Sequence, residues 1–206
     1  MFALVDNQQI TKHLSGNRGI TLNNIQYPKS IFTLWSEAER NAIGIYEVTV
    51  DTTNKKDEQW YINTDVSYGV ESNKAVGSYG TATAKAHADT LWTQQDSDNG
   101  LLPSDKSVGD VKAEGLKTQL IRTVKKQAAG ELQNTDWYVV RKADAGTAVP
   151  SAITTHRAAV RTKAAEQETA ITNAADTPAL ETLYTYTEQE DGSVTRPLGE
   201  LPRLDS

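Results

Sequence analysis

The sequence predicts an α+β fold: an N-terminal mostly antiparallel β-rich domain, then a C-terminal helical hairpin module and an extended tail. Three observations carry this. From Phe2 to about residue 82, short segments rich in β-branched residues alternate apolar and polar positions. At Thr83 the composition shifts toward alanine and leucine, and between Asp110 and Asn173 apolar residues recur three and four positions apart. After Tyr184 the periodicity stops, and Pro197, Pro202 and the turn sequence Glu190-Asp191-Gly192-Ser193 follow. The implied organisation is a β-rich docking domain over 1–82, a helix and linker over 83–109, a helical module over 110–184 and an extended tail over 185–206.

Phe2 to Val5, then Asp6 to Gln9, then Ile10 to Leu14 read as strand, turn and strand. Ser15 to Gly19 is loop chemistry. Ile20, Leu22 and Ile25 suit one half-buried strand, ended by Tyr27-Pro28 because a residue before proline leaves the helical region. Ser36 and Glu39 have capping-box spacing and open a helix that must stop by Gly44. Ile45 to Val50 is a strand. Trp60 to Val66 and Lys74 to Ala84 are further strand candidates, with Gly69, Gly77 and Gly80 as bends.

Ala84, Ala86, Ala88, Leu91 and Trp92 suggest a helix over 83–95, and residues 96–109 a linker. Asp110 to Leu132 is predicted as the longest helix, with Leu116, Leu120, Ile121, Val124, Ala128 and Leu132 on one face and Gly115 weakening its first turns. Asp136 can cap a short helix ending near Lys142, in which Trp137 and Val140 face one partner. Gly146 supplies a helix stop, and Pro150 suits the first position of the next helix, which runs to Asn173. Ile153, Val160, Ala164 and Ile171 form its apolar line, with Arg157 among them. Thr177 to Tyr184 restarts a short helix.

The chain has 206 residues, 37% hydrophobic and 23% charged, so thin cores and much polar surface are expected. Its formal net charge of -6 is uneven: -4 over 1–104, +5 over 105–163 and -7 over 164–206. A basic middle beside an acidic end can pair within the chain or between copies, or serve as solvated helix faces. The acidic total argues against nucleic acid as a partner, which needs a clustered basic patch. Absence of cysteine excludes disulfides, thiolate zinc sites and cysteine nucleophiles. The N-terminus lacks the basic stretch of a signal peptide, and no apolar run approaches the ~20 residues that span a bilayer. No membrane partner is therefore expected.

No catalytic, cofactor-binding or metal-binding residue is assigned. His13, His87 and His156 fall on different elements and share no ligand spacing. Asp96 to Gly100 fails the register of a calcium loop, its glycine coming one position early and no glutamate closing it. There is no nucleophile elbow and no phosphate-cradling glycine-lysine sequence. Trp35, Trp60, Trp92 and Trp137 are read first as core residues and otherwise as interface anchors. The best interface or structural-pin candidate is Asp136, Trp137, Tyr138 and Arg141 with Arg157 and Arg161 across the turn. An arginine on an apolar line must meet a carboxylate or carbonyls, and Asp136 or Asp144 is within reach.

The stretch Asn134-Thr135-Asp136-Trp137-Tyr138-Val139-Val140-Arg141-Lys142, then Gly146 to Pro150, then His156-Arg157-Ala158-Ala159-Val160-Arg161, resembles a helical module near the C-terminus of phage tail proteins. These include tail-fibre-associated proteins and those labelled tail assembly chaperones. Phe2 to Val5 through Tyr27-Pro28, and Ala42 to Val48, are similar to the start of such proteins. The resemblance implies a tail or fibre context and no chemistry. It makes the expected function a non-enzymatic structural component of a bacteriophage tail, made in the bacterial host cytoplasm and carried in the virion. Other tail or fibre proteins, or further copies of the chain, would be its partners. A tail assembly chaperone that leaves the mature particle is the alternative. A small glycan-degrading enzyme is a third, and would need paired carboxylates in a cleft, with Glu37 and Glu39 as the candidates.

Overall fold

The computed structural model describes residues 1–204 and divides into two compact units, Met1–Thr83 and Ala84–Ser206. The fold is α+β, with strands concentrated in the first unit and helices in the second.

The first unit is built on one curled five-stranded sheet. Strands β1 (Phe2–Asp6) and β2 (Gln9–Leu14) form a hairpin, followed by a second hairpin of β3 (Ile20–Leu22) and β4 (Ile25–Tyr27). Helices α1 (Ile31–Leu34) and α2 (Glu37–Ala42) lead into β5 (Ile45–Asp51). The short β6 (Tyr61–Ile62) precedes β7 (Val66–Glu71), β8 (Lys74–Tyr79) and β9 (Thr83–Ala84). The order is β2-β1-β5-β8-β7, antiparallel except for the β5–β8 pair, which is parallel. The edge strands β2 and β7 curl back toward each other: the His13 and Tyr68 rings meet at 4.6 Å, and Gln8 donates to Asn73.

Alternation gives the sheet two apolar faces. Phe2, Leu4 and Ile45 join Leu14, Ile31 and Phe32 on one face, while Ala3, Val48 and Ala75 with Val5 and Tyr46 fill the other. The single strand expected through Ile25 is instead a hairpin. Asn23 and Asn24 take left-handed φ of 48° and 63°, the geometry of a two-residue primed turn that asparagine tolerates. Ser36 and Glu39 form the expected capping box at α2. Ser36→Ala is expected to lower the unfolding free energy by about 1 kcal/mol in urea titration.

The second unit opens with β10 (Thr90–Leu91), α3 (Gln94–Asp98) and β11 (Val111–Ala113). Helices α4 (Leu116–Gln133), α5 (Asp136–Ala145), α6 (Ser151–Asn173) and α7 (Thr177–Tyr184) follow, then a hairpin of β12 (Thr187–Glu188) and β13 (Val194–Thr195). Helices α4 and α6 pack antiparallel, bridged by Lys117 Nζ on the Thr172 carbonyl and by Lys125 to Glu168. Leu116, Val124 and Ala128 meet Ile153, Val160, Ala164 and Ile171 in the core, with Leu180 of α7 also buried.

Two helix predictions are corrected. The helix over 83–95 is absent: only Gln94–Asp98 is helical, and Thr90–Leu91 pairs with β11. The helix expected from Asp110 begins at Leu116, so α6, with 23 residues, is the longest. One cause explains both. The Ala86 and His87 carbonyls accept from the N–H groups of Leu116 and Lys117, and the Asp89 carboxylate accepts from Gly115 N and the Thr118 hydroxyl. The 84–92 segment spends its backbone and its aspartate capping α4, and cannot also close its own helical bonds. These bonds, first from Gly115 N and then from Thr118, lower the Asp89 pKa.

Asp96 belongs to a capping box with Thr93 and pairs with Lys112 at 2.6 Å. The bond from Lys112, then those from Thr93, lower its pKa from 3.8 to about 2. A depressed carboxylate stabilises the fold above its unfolded value, so this contribution is full at neutral pH and is lost as pH falls from 3.8 through about 2. Carboxyl NMR should place the Asp96 midpoint near 2; titration at the ordinary value would show the pairing absent in solution.

The tail is ordered as far as it is described. Leu198 is buried and donates its N–H to the Leu183 carbonyl, and Gln167 holds the Gly199 carbonyl. Asp205 and Ser206 of the predicted tail lie outside the described residues.

Candidate functional site

Arg157 sits where the apolar line of α6 places it, 8% exposed among Ile153 and Val160. Its Nη1 lies 2.9 Å from the Leu132 carbonyl, 2.6 Å from Thr135 Oγ1 and 2.8 Å from Asp136 Oδ1. The two hydrogens of this nitrogen serve the Leu132 carbonyl and Thr135 Oγ1, and Asp136 adds an ion contact. The Thr135 hydroxyl donates onward to Leu132 O at 2.8 Å, which leaves its lone pair for the guanidinium. This network closes α4 and opens α5.

It also corrects the predicted cap. Thr135, not Asp136, is the N-cap residue of α5, and neither side chain caps it. Thr135 is committed to Leu132 and Arg157, and Asp136 to the Arg157 ion pair. At the other end of α5, Gly146 stops the helix at φ 68°, a region glycine enters without a Cβ penalty. Pro150 is the N-cap of α6, one position before the place expected for it.

Helix α5 buries none of its residues. Trp137 is 52% exposed, and Val139 and Val140 are also exposed, so the core reading of Trp137 does not hold. Tyr138 lies against Trp137, their ring centroids 3.8 Å apart. The Arg141 guanidinium covers both, 4.7 Å from the Trp137 centroid and 5.3 Å from that of Tyr138. Such stacking holds the three side chains in one arrangement. Arg141 Nε is shielded and lacks a hydrogen-bond partner. Arg161 is exposed, reaching only its own helix at the Arg157 carbonyl, 3.4 Å away. Asp144 is exposed.

The structure therefore joins Asp136 to Arg157 and Trp137 to Tyr138 and Arg141, and leaves Arg161 outside both groups. Sequence reasoning missed Thr135 and the Leu132 carbonyl. The available signal was a threonine just ahead of the Asp136 helix start, able to turn its hydroxyl back to the preceding helix.

The other tryptophans differ: Trp60 is 3% exposed, while Trp35 and Trp92 are half-buried. Among the described residues no group of three or more His, Cys, Asp or Glu can hold a metal ion. Glu39 is engaged by the Ser36 cap. No described helix is long and apolar enough to cross a membrane. Comparison with protein-family models, curated proteins and solved structures finds no match for the chain.

Proposed function

We propose that the chain is a non-enzymatic structural component of a bacteriophage tail, docking other tail or fibre proteins through α5. The supporting observation is a helix that buries none of its residues, anchored at its start by Arg157 and carrying Trp137, Tyr138 and Arg141 as one stack, with Trp137 exposed and the other two half-buried. Trp, Tyr and Arg are the residue types that dominate binding hot spots. The site is also preorganised, so little side-chain entropy is lost on docking. The tail context comes from the sequence resemblance around residues 134–161.

Mass spectrometry of tailed particles purified from a lysate containing the chain should find it. Trp137→Ser should change folding stability by less than about 0.5 kcal/mol, because the ring lies on the surface. The same substitution should abolish incorporation. A chain abundant in the lysate and missing from mature particles would sink the structural reading in favour of a transient assembly chaperone.

A further inference from the structure

Trp137, Val140, Arg141 and Asp144 follow one another on α5 at steps that set them on one face of the helix. The apolar members of this face are open: Trp137 is 52% exposed and Val140 65%. Its charged members are unspent. Arg141 and Asp144 form no ion pair and no hydrogen bond among the described residues. Opposite charges three residues apart on a helix can pair. Here the Arg141 guanidinium is turned back over the Trp137 ring instead, 4.7 Å from its centroid.

Asp144 is the odder of the two. It is exposed and stands in the last turn of α5, which ends at Ala145. The negative end of the helix dipole disfavours a carboxylate there, and no contact within the chain offsets that cost.

Resting on the reading of α5 as a docking surface, we propose that its Trp137 face pairs antiparallel with the same face of a second copy of the chain. Val139 and Lys142 lie off this face and stay open to other proteins. The face is its own complement. In an antiparallel pairing that sets Val140 against Arg141 of the second copy, Trp137 stands against Asp144 of the second copy. Because Arg141 lies over Trp137, its guanidinium then meets that carboxylate, and the two-fold axis repeats the contact. Covering Trp137 and Val140 supplies the apolar centre. The two Arg–Asp pairs fix the direction, since a parallel pairing would set Arg141 against Arg141 and Asp144 against Asp144. A ten-residue helix offers one small face, below the roughly 1,200 Å² in total of stable interfaces, so the pairing is weak and concentration-dependent.

Sedimentation equilibrium of the purified full chain over a concentration series should show a reversible monomer–dimer equilibrium. Asp144→Arg changes an exposed side chain that has no partner within the chain. It should keep the wild-type melting profile and weaken the dimer at least about ten-fold, because like charges then face each other. Arg141→Asp should weaken it likewise. Combining Arg141→Asp with Asp144→Arg restores opposite charges across the axis and should give a tighter dimer than either single variant, a rescue that damage to the fold could not produce. A chain that stays monomeric, a dimer indifferent to Asp144→Arg, or a double variant no tighter than the singles would overturn the pairing. Each of those results leaves the tail reading standing, because presence in particles decides it. A dimer formed by a chain absent from particles would remove the tail reading alone.

Discussion

Gly115→Ala is expected to destabilise the helical unit by about 3 kcal/mol, at the upper end of overpacking substitutions. An added Cβ would lie 2.3 Å from the carbonyl carbon and oxygen of Ala88, well inside any van der Waals contact. The obstacle is main chain, so no rotamer relieves it. Gly115 has an ordinary φ of -81°, which makes the requirement steric and extends it to every side chain. The irregular segment that would have to retreat carries the Ala86 and His87 carbonyls and the Asp89 carboxylate, and all three satisfy the start of α4. The substitution therefore adds strain and removes caps together. Urea unfolding followed by circular dichroism measures the loss. An alanine variant as stable as the parent would show that α4 does not start against Ala88.

Arg157→Met should cost about 3 kcal/mol, within the range for removing one partner from a buried polar network. The ion pair itself supplies little of this. The Asp136 side chain is 57% exposed, so solvent screens the attraction to at most about 1 kcal/mol. The larger share comes from the buried bond to Thr135, 2% exposed, whose donor solvent cannot replace; the Leu132 carbonyl keeps the Thr135 N–H and hydroxyl. Arg157→Lys keeps the charge but not the planar fork and should fall between. Asp136→Asn should lose at most about 1 kcal/mol, as an exposed pair does. Hydrogen exchange supplies a second readout: α5, burying nothing, should lose protection in Arg157→Met while the core of α6 keeps it. Protection in α5 equal to that of the parent would mean that the helix stands without its anchor.

The candidate site was partly legible in the sequence. Arg157 on the line of Ile153, Val160, Ala164 and Ile171 is a charge that burial forces to find acceptors, and Asp136 was one of two carboxylates within reach. That Thr135 and Leu132 share the same guanidinium nitrogen was not legible, because it depends on how α4 ends. Nor was the exposure of Trp137. Large aromatics are commonest in cores, and composition cannot reveal that a ten-residue helix lies outside one.

By itself the sequence determined the α+β class and several features whose cause lies within a few residues: the alternation of β1 and β5, the Ser36–Glu39 box, the Gly146 stop and the apolar stripe of α6, though not the equally local Asn23–Asn24 turn. Only the tertiary structure decided where α4 begins, why residues 84–92 are not a helix, and which face of α5 is left open. Alanine's helix preference is worth a few tenths of a kcal/mol per residue, and a set of capping bonds outweighs it. Those bonds join Asp89 to Gly115 and Thr118, 26 and 29 positions away, so a local window contains one partner and not the other.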